Sequence, residues 1–392
     1  MTLSGKRPVL RVYLSILAVL PALLSGCATV SPPAASVQAI ERRVQSLEER
    51  MARMEARQSQ RSDALEKARG AVAYIWGTYT FVDADGRPLR HVLNEVGQPV
   101  ADPQGEPLVD IRGTGPVAYA HYCGTAFLAG PRGELLTNRH VVQPWWLEKQ
   151  DEALMQAGLK PVFLILRAFF QERNSSVPIE VLSFDEKADI ALARTVDWVP
   201  EAAPLELFPA AAAIREAQPV FLLGYPTGLE AVLAKLDDRV KAELGLEGPC
   251  SYYTAERLSA RGYLKPTATS GFLWEVYPHA LVYDARTVGG GSGGPVLDMS
   301  GRVLGVNAAY LEEFQGGNYG VPVARGRALL EGGGVRAEEA RGEARELQAL
   351  ACEEDPFYTE AGEVCESAAD GEGDREETRP PSGREGYAAL RR

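Results

Sequence analysis

The sequence predicts an all-β body, a sandwich or a barrel, with a helix ahead of it and helical insertions within it. Three observations carry that prediction. Short apolar strands alternate with turns from Ala118 to about Leu330. The 39 glycines and 26 prolines favour turns over long helices. Ile40, Val44, Leu47, Met51 and Met54 step by 4, 3, 4 and 3, a helical period. A chain of 392 residues exceeds what one domain needs, so a main domain with appendages is expected.

Residues 1–27 read as a targeting segment. Lys6, Arg7 and Arg11 form its positive part, an apolar run from Val12 to Leu24 follows, and it ends in Leu24-Ser25-Gly26-Cys27. That ending resembles the lipobox of bacterial lipoproteins, whose cysteine is lipidated and becomes the first mature residue. The resemblance implies a lipid anchor at Cys27, the bilayer as a partner and a place in the cell envelope. Ala28 in the next position is compatible with the outer membrane and periplasm. A plain secretory signal and an uncleaved anchor helix are the alternatives, although the run is short for a membrane span. Residues 28–36 are a Pro/Ala/Ser linker. Residues 37–69 are a helix whose seam makes it either a short coiled coil, joining copies of the chain into a homo-oligomer, or a solvated spacer.

Residues 70–333 form the body. Ala71 to Val82 is a β-branched and aromatic run, and Gly86-Arg-Pro-Leu89, Gly97-Gln-Pro-Val100 and Gly105-Glu-Pro-Leu108 follow as three hairpin turns. Asp83 and Asp85 lack the rest of a calcium loop. Strands are expected at Gly124 to Ala129, Leu135 to Asn138, Val162 to Phe169, Ile190 to Ala193, Pro219 to Leu223, Leu281 to Asp284, Pro295 to Leu297 and Val303 to Asn307. Leu147 to Ala157 and Leu229 to Leu244 read as helical insertions. The second runs on through Cys250 to about residue 265 as either a lid or a decoration. Residues 334–365 read as a helical extension and residues 366–392 as a disordered acidic tail. Eleven acids against one arginine between Ala351 and Thr378 hold −10 of the net charge of −12. The acidity therefore belongs to a tail, and with no basic stripe nucleic-acid binding is not expected.

Export implies an oxidising compartment. Cys123, Cys250, Cys352 and Cys365 allow three disulfide pairings. Cys352–Cys365 is preferred because it closes a short loop, and Cys123–Cys250 follows by elimination. No cysteine or histidine pair has metal-ligand spacing, so neither metal nor cofactor is expected.

The chemistry concentrates in Gly289-Gly-Gly-Ser-Gly-Gly-Pro295. A nucleophilic serine needs a tight turn and backbone N–H groups aimed at a developing oxyanion, which glycines permit. It also needs a base, usually histidine, oriented by a carboxylate. No histidine follows Ser292, which excludes the nucleophile elbow of α/β-hydrolases. His140 is the base that fits, at the end of a strand–turn–strand unit closing in Leu136-Thr-Asn-Arg-His-Val-Val142. Asp189, in Lys187-Ala-Asp-Ile-Ala-Leu-Ala193, lies 49 residues after His140 and 103 before Ser292. Asp185 is its rival.

Together the Gly124-Thr-x-Phe-Leu128 strand, Leu136-Thr-Asn-x-His-Val-Val142, Asp189-Ile-Ala and Gly-Gly-Ser292-Gly-Gly resemble the trypsin-like serine proteases, in the HtrA/Deg-like branch. Val220-Phe-Leu-Leu-Gly-Tyr-Pro226, Tyr283-Asp-Ala285, Gly301-x-Val-Leu-Gly-Val-Asn307 and Tyr319-Gly-Val-Pro-Val323 extend the resemblance over Ala118 to Leu330. It implies two six-stranded antiparallel Greek-key barrels and a membrane-anchored serine endopeptidase acting on protein or peptide substrates. His140, Asp189 and Ser292 would be catalytic, and Gly290 and Ser292 would supply the oxyanion hole. Arg286, Asn307 and Ala308 would lie at the substrate pocket. An inward Arg286 favours acidic side chains before the scissile bond; an outward one favours small aliphatic ones. The sequence departs from the family at Gly291, where trypsins carry Asp and HtrA proteases commonly Asn, so the loop is expected to be loosely held. About 60 residues follow Leu330, too few for a PDZ domain. A pseudoprotease, binding peptides in the same cleft, is the rival reading. A third makes the coiled coil and tail an envelope tether.

Overall fold

The computed structural model describes residues 34–103, 105–246, 251–310, 317–337 and 347. The chain divides into two compact units, Met1–Ser59 and Gln60–Arg392. A helix, α1 (Ala34–Gly70), begins in the first unit and ends in the second. In the first unit it leaves Val44, Leu47, Met51 and Met54 exposed. In the second unit its last turns bury Ala68 in the core, with Leu65 packed against it.

The choice between sandwich and barrel resolves to two closed six-stranded antiparallel barrels. The first comprises β1 (Val72–Val82), β2 (Ala120–Leu128), β3 (Glu134–Thr137), β4 (Lys160–Phe170), β5 (Val177–Phe184) and β6 (Ala191–Thr195). They run in the order β4-β1-β2-β3-β6-β5, and β5 closes onto β4. The second comprises β7 (Pro219–Gly224), β8 (Thr267–Val276), β9 (Leu281–Tyr283), β10 (Pro295–Leu297), β11 (Val303–Tyr310) and β12 (Asn318–Pro322), closed in the order β8-β9-β12-β11-β10-β7. Sequence reading passed over β5 and β8, whose mixed polar residues hide a strand period; β8 is largely half-exposed or exposed. Every residue of β1 is buried, which is why it reads as an unbroken apolar run. Its Tyr74 meets Tyr225, just beyond β7, at 5.2 Å between ring centroids, joining the barrels.

The three Gly/Pro units are hairpin turns. In each, an Asx residue opens the turn: Asp83, Asn94 and Asp102 accept the N–H of Arg87, Gln98 and Glu106 at 2.9, 3.0 and 2.9 Å. The side-chain oxygen replaces a backbone acceptor, so these turns are closed locally.

The insertions differ from expectation in their breaks. Leu147 to Ala157 holds one helix, Lys149–Gln156, preceded by a 3₁₀ turn at Pro144–Trp146. Leu229 to Leu244 is two short helices: Glu230–Leu233, which ends at Ala234, and Asp238–Glu243, which Asp237 caps by accepting the Arg239 N–H at 2.8 Å. A third helix, Tyr252–Ala260, is capped by Ser251. Leu229, Leu244, Ala255 and Leu258 are buried in the same core as Phe169 and Phe170 of β4. Burying a side chain such as Leu258 stabilises by about 1.5–3 kcal/mol. Ser176, just before β5, donates to Glu256 at 2.5 Å and bonds the Tyr252 hydroxyl at 2.7 Å, fastening the third helix to the first barrel. The insertion is thus packed against the first barrel.

The helical extension does not begin at its expected place: Val335–Arg336 pairs antiparallel with Phe184 and Ser183 of β5. Cys123 lies on β2. The proposed partners of the disulfides, Cys250, Cys352 and Cys365, lie outside the described residues, as do Cys27 and the tail 366–392.

Candidate active site

His140 stands on the short helix Arg139–Val142, which follows β3 and is pinned by buried Val141 and Val142. Asp189 lies two residues before β6, the strand that pairs with β3. The pairing therefore brings the two side chains together. His140 Nδ1 lies 2.7 Å from Asp189 Oδ2, and the His140 N–H donates to Asp189 Oδ1 at 3.0 Å. Asn138 Nδ2 fixes the Asp189 carbonyl at 2.7 Å. A carboxylate only accepts, so Nδ1 carries the proton and Nε2 is left as the basic nitrogen. Asp185 is a turn residue: it accepts the N–H groups of Lys187 and Ala188 at 2.8 and 2.9 Å and pairs with Arg325. Between the two, the geometry selects Asp189. Beside this pair the Arg139 guanidinium is sandwiched by the Trp146 and Phe184 rings, at 4.4 and 4.1 Å.

Ser292 lies on the turn before β10, and four successive carbonyls of that turn are held. Gly289 O accepts from Thr227 N at 2.6 Å, Gly290 O from Thr125 Oγ1 at 2.8 Å, Gly291 O from Asn307 Nδ2 at 2.8 Å, and Ser292 O from Thr125 N at 2.8 Å. The N–H groups of Gly291, Gly293 and Gly294 donate to Val288, Asn307 and Gly291 carbonyls. Among the described residues, those of Gly290 and Ser292 donate to no protein acceptor. They are the two expected at the oxyanion hole. Gly290 takes φ +84°, and Gly293, at φ +87°, brings its backbone so close to Thr125 O that a Cβ would sit 1.8 Å away. Only glycine tolerates both demands.

The loosely held loop expected from Gly291 is therefore not what the structure has. Asn307 does the work of a side chain at 291. It is 1% exposed, far from lining a pocket, and its Oδ1 accepts from the Tyr283 hydroxyl at 2.5 Å. Burial pushes the Tyr283 phenol well above its ordinary pKa, so it remains a donor. Ala308, also buried, contributes its carbonyl: Ser292 Oγ donates to it at 3.0 Å, and no hydrogen bond joins Ser292 Oγ to His140. The Arg286 side chain is exposed and lines a small cleft with Pro226, Thr269 and Thr287. Sequence reasoning missed the role of Thr125, although Thr125 stands inside the Gly124-Thr-x-Phe-Leu128 strand. It also missed Thr227, a non-glycine residue at φ +57°.

Two closed antiparallel barrels with a histidine–aspartate pair on one and a glycine-framed serine on the other define the trypsin-like fold. The family model of the trypsin-like peptidase domain matches residues 124–306. These findings support the trypsin-like serine protease family. In particular, the chain is 27% identical over 211 residues to serine protease Rv3671c of Mycobacterium tuberculosis, covering 54% of this chain and 42% of that one. The chain thus spans about two fifths of the length of the curated relatives it matches. Among solved structures, it is similar to the HtrA-type protease AlgW with a tripeptide (TM-score 0.39, 16% identity, 69% of this chain and 62% of that one). It is also similar to a serine endoprotease from Yersinia pestis (TM-score 0.39, 14% identity, 69% and 65%).

Proposed function

We propose that the chain is a lipid-anchored serine endopeptidase of the cell envelope that cuts protein or peptide substrates through an acyl-enzyme, in quality control or processing. The observation that carries this reading is the pair of N–H groups, Gly290 and Ser292, that meet no protein acceptor among the described residues, on a loop whose four carbonyls from Gly289 to Ser292 are held by other donors. Donors so placed stabilise an oxyanion without reorganising.

In the proposed reaction Ser292 Oγ turns from Ala308 O to His140 Nε2, exchanging one hydrogen bond for another. His140 takes the hydroxyl proton as Ser292 attacks the peptide carbonyl, and Asp189 stabilises the imidazolium. The carbonyl oxygen, now charged, lies on the Gly290 and Ser292 N–H groups. His140 gives its proton to the leaving amine, and water then hydrolyses the ester by the same route. Arg286 lines the cleft beside the Ser292 loop, and a peptide library varied before the scissile bond tells acidic from small aliphatic preference there. The envelope location and the Cys27 anchor rest on the lipobox-like segment, and assembly of copies rests on the α1 seam.

A fluorophosphonate probe tests the chemistry. Wild type is expected to label, and Ser292→Ala and His140→Ala are not. A folded wild type that fails to label would sink the proposal. The Ser292–Ala308 hydrogen bond favours one second reading, a peptide-binding module that does not turn over. Under it, Ser292→Ala keeps its full biological effect; under the first reading the effect is lost.

A further inference from the structure

Four large apolar side chains of α1, Val44, Leu47, Met51 and Met54, are 47%, 50%, 60% and 68% exposed, and they lie along one face. An exposed stripe of this kind calls for a partner. The charges beside it say which partner. Written as heptads, Val44, Met51 and Gln58 take position a, while Ile40, Leu47 and Met54 take position d. The flanking g positions then hold Arg43 and Arg50, and the flanking e positions hold Glu48 and Glu55. Each flank of the stripe thus carries one sign of charge.

We infer that α1 pairs with α1 of a second copy of this chain, as a parallel, in-register, two-stranded coiled coil. In that arrangement a g residue faces the e′ residue five positions on. Arg43 then meets Glu48 of the second copy and Arg50 meets Glu55, and symmetry doubles both contacts. An antiparallel pair sets g against g′ and e against e′, which puts arginine on arginine and glutamate on glutamate. Val44 at a with Leu47 at d is the combination that favours two strands. The four charges are also available: among the described residues none of them makes an ion pair within the chain, whereas Arg53 and Glu49, on the outer face, pair with each other at 3.9 Å. A parallel pair places both chain starts at one end, as two lipid anchors in one bilayer require. Shared anchoring raises the local concentration of a short seam. The inference deepens the assembly named in the proposed function, and it stands or falls independently of peptidase activity.

Sedimentation of the full chain tests it, with fluorophosphonate labelling as a separate check of the fold. The parent is expected to sediment as a dimer. Arg43→Glu with Arg50→Glu, and separately Glu48→Arg with Glu55→Arg, are each expected to raise the dimer dissociation constant at least about ten-fold. Mixing the two variants in equal amounts restores it. For orientation, Ile40→Cys and Met54→Cys chains are mixed and oxidised; a disulfide needs Cα atoms within about 7 Å. Expected links are 40 to 40 and 54 to 54. A monomeric or trimeric parent, charge variants that dimerise like the parent, or a dominant 40-to-54 link would each overturn the proposal.

Discussion

The two halves of the candidate site are held differently. His140 and Asp189 are fixed within the first barrel, by each other and by Asn138, with the β3–β6 pairing behind them. The Ser292 loop belongs to the second barrel, yet two of its four carbonyl anchors come from Thr125 on β2 of the first. The His140–Asp189 pair is therefore a local product of one barrel, and the Ser292 loop is a product of how the barrels meet. Damage to their contact should disarm the loop and leave the histidine–aspartate pair intact.

The largest effect should come from the local half. Asp189→Asn removes the charge that holds the Nδ1 tautomer and stabilises the imidazolium, without altering the fold. Turnover at neutral pH is expected to fall about 10⁴-fold, read as the rate of fluorophosphonate labelling. A fall of less than about ten-fold would mean another carboxylate orients His140. Asp185→Asn, in the same assay, is expected to change little, because Asp185 bonds its own turn and Arg325.

A smaller effect is expected from the shared half. Thr125→Val removes the hydroxyl that donates to Gly290 O and accepts from Tyr225 N. The Gly290 peptide then loses its anchor, and labelling should slow by about 10–100-fold, less than for loss of an oxyanion donor itself. Thr125→Ser should restore most of the rate. The downfield Nδ1 proton resonance of His140 is the control: it should stay in place in Thr125→Val and move in Asp189→Asn. If both variants move it, the two halves are not separable in the way proposed.

This division also explains what could be read in advance. His140, Asp189 and Ser292 were legible because each sits at the end of a short strand or turn whose neighbours in sequence are its neighbours in space. In the sequence Thr125 is only one residue of an apolar strand. Its hydroxyl matters because of Gly290, 165 residues away, and no local pattern reports that distance. Asn307 was expected at the pocket and is instead the strut under Gly291. An asparagine on a strand gives no sign of the direction its amide will face until the strand's two faces are assigned. The break in the Leu229–Leu244 insertion had a signal, the capping Asp237, which the apolar periodicity outweighed. The α1 seam was legible as a period, and its e and g charges carried information the apolar spacing alone did not.

The smallest effect separates stability from catalysis within the second barrel. Asp298 closes the β10–β11 turn as Asp83 closes its own, but it is 9% exposed. It accepts the N–H groups of Ser300 and Arg302 at 2.8 and 3.0 Å, the Ser300 hydroxyl at 2.6 Å, and Arg302 Nε at 2.9 Å. Burial alone would push its carboxyl up; these hydrogen bonds outweigh it and leave the pKa below the ordinary aspartate value of 3.8. A depressed folded-state pKa stabilises the fold above the unfolded value, and the stabilisation is lost as pH falls through the folded one. Asp298→Asn should therefore cost about 1 kcal/mol at pH 7, seen as a lower denaturation midpoint, and the gap to wild type should close as the medium falls below about pH 4. Fluorophosphonate labelling should be unchanged, since Asp298 anchors its own hairpin and none of the four loop carbonyls. A slowed labelling rate would show that the Ser292 loop leans on this turn as well as on the first barrel. A gap that persists in acid would show that the Asp298 charge is not what stabilises the turn.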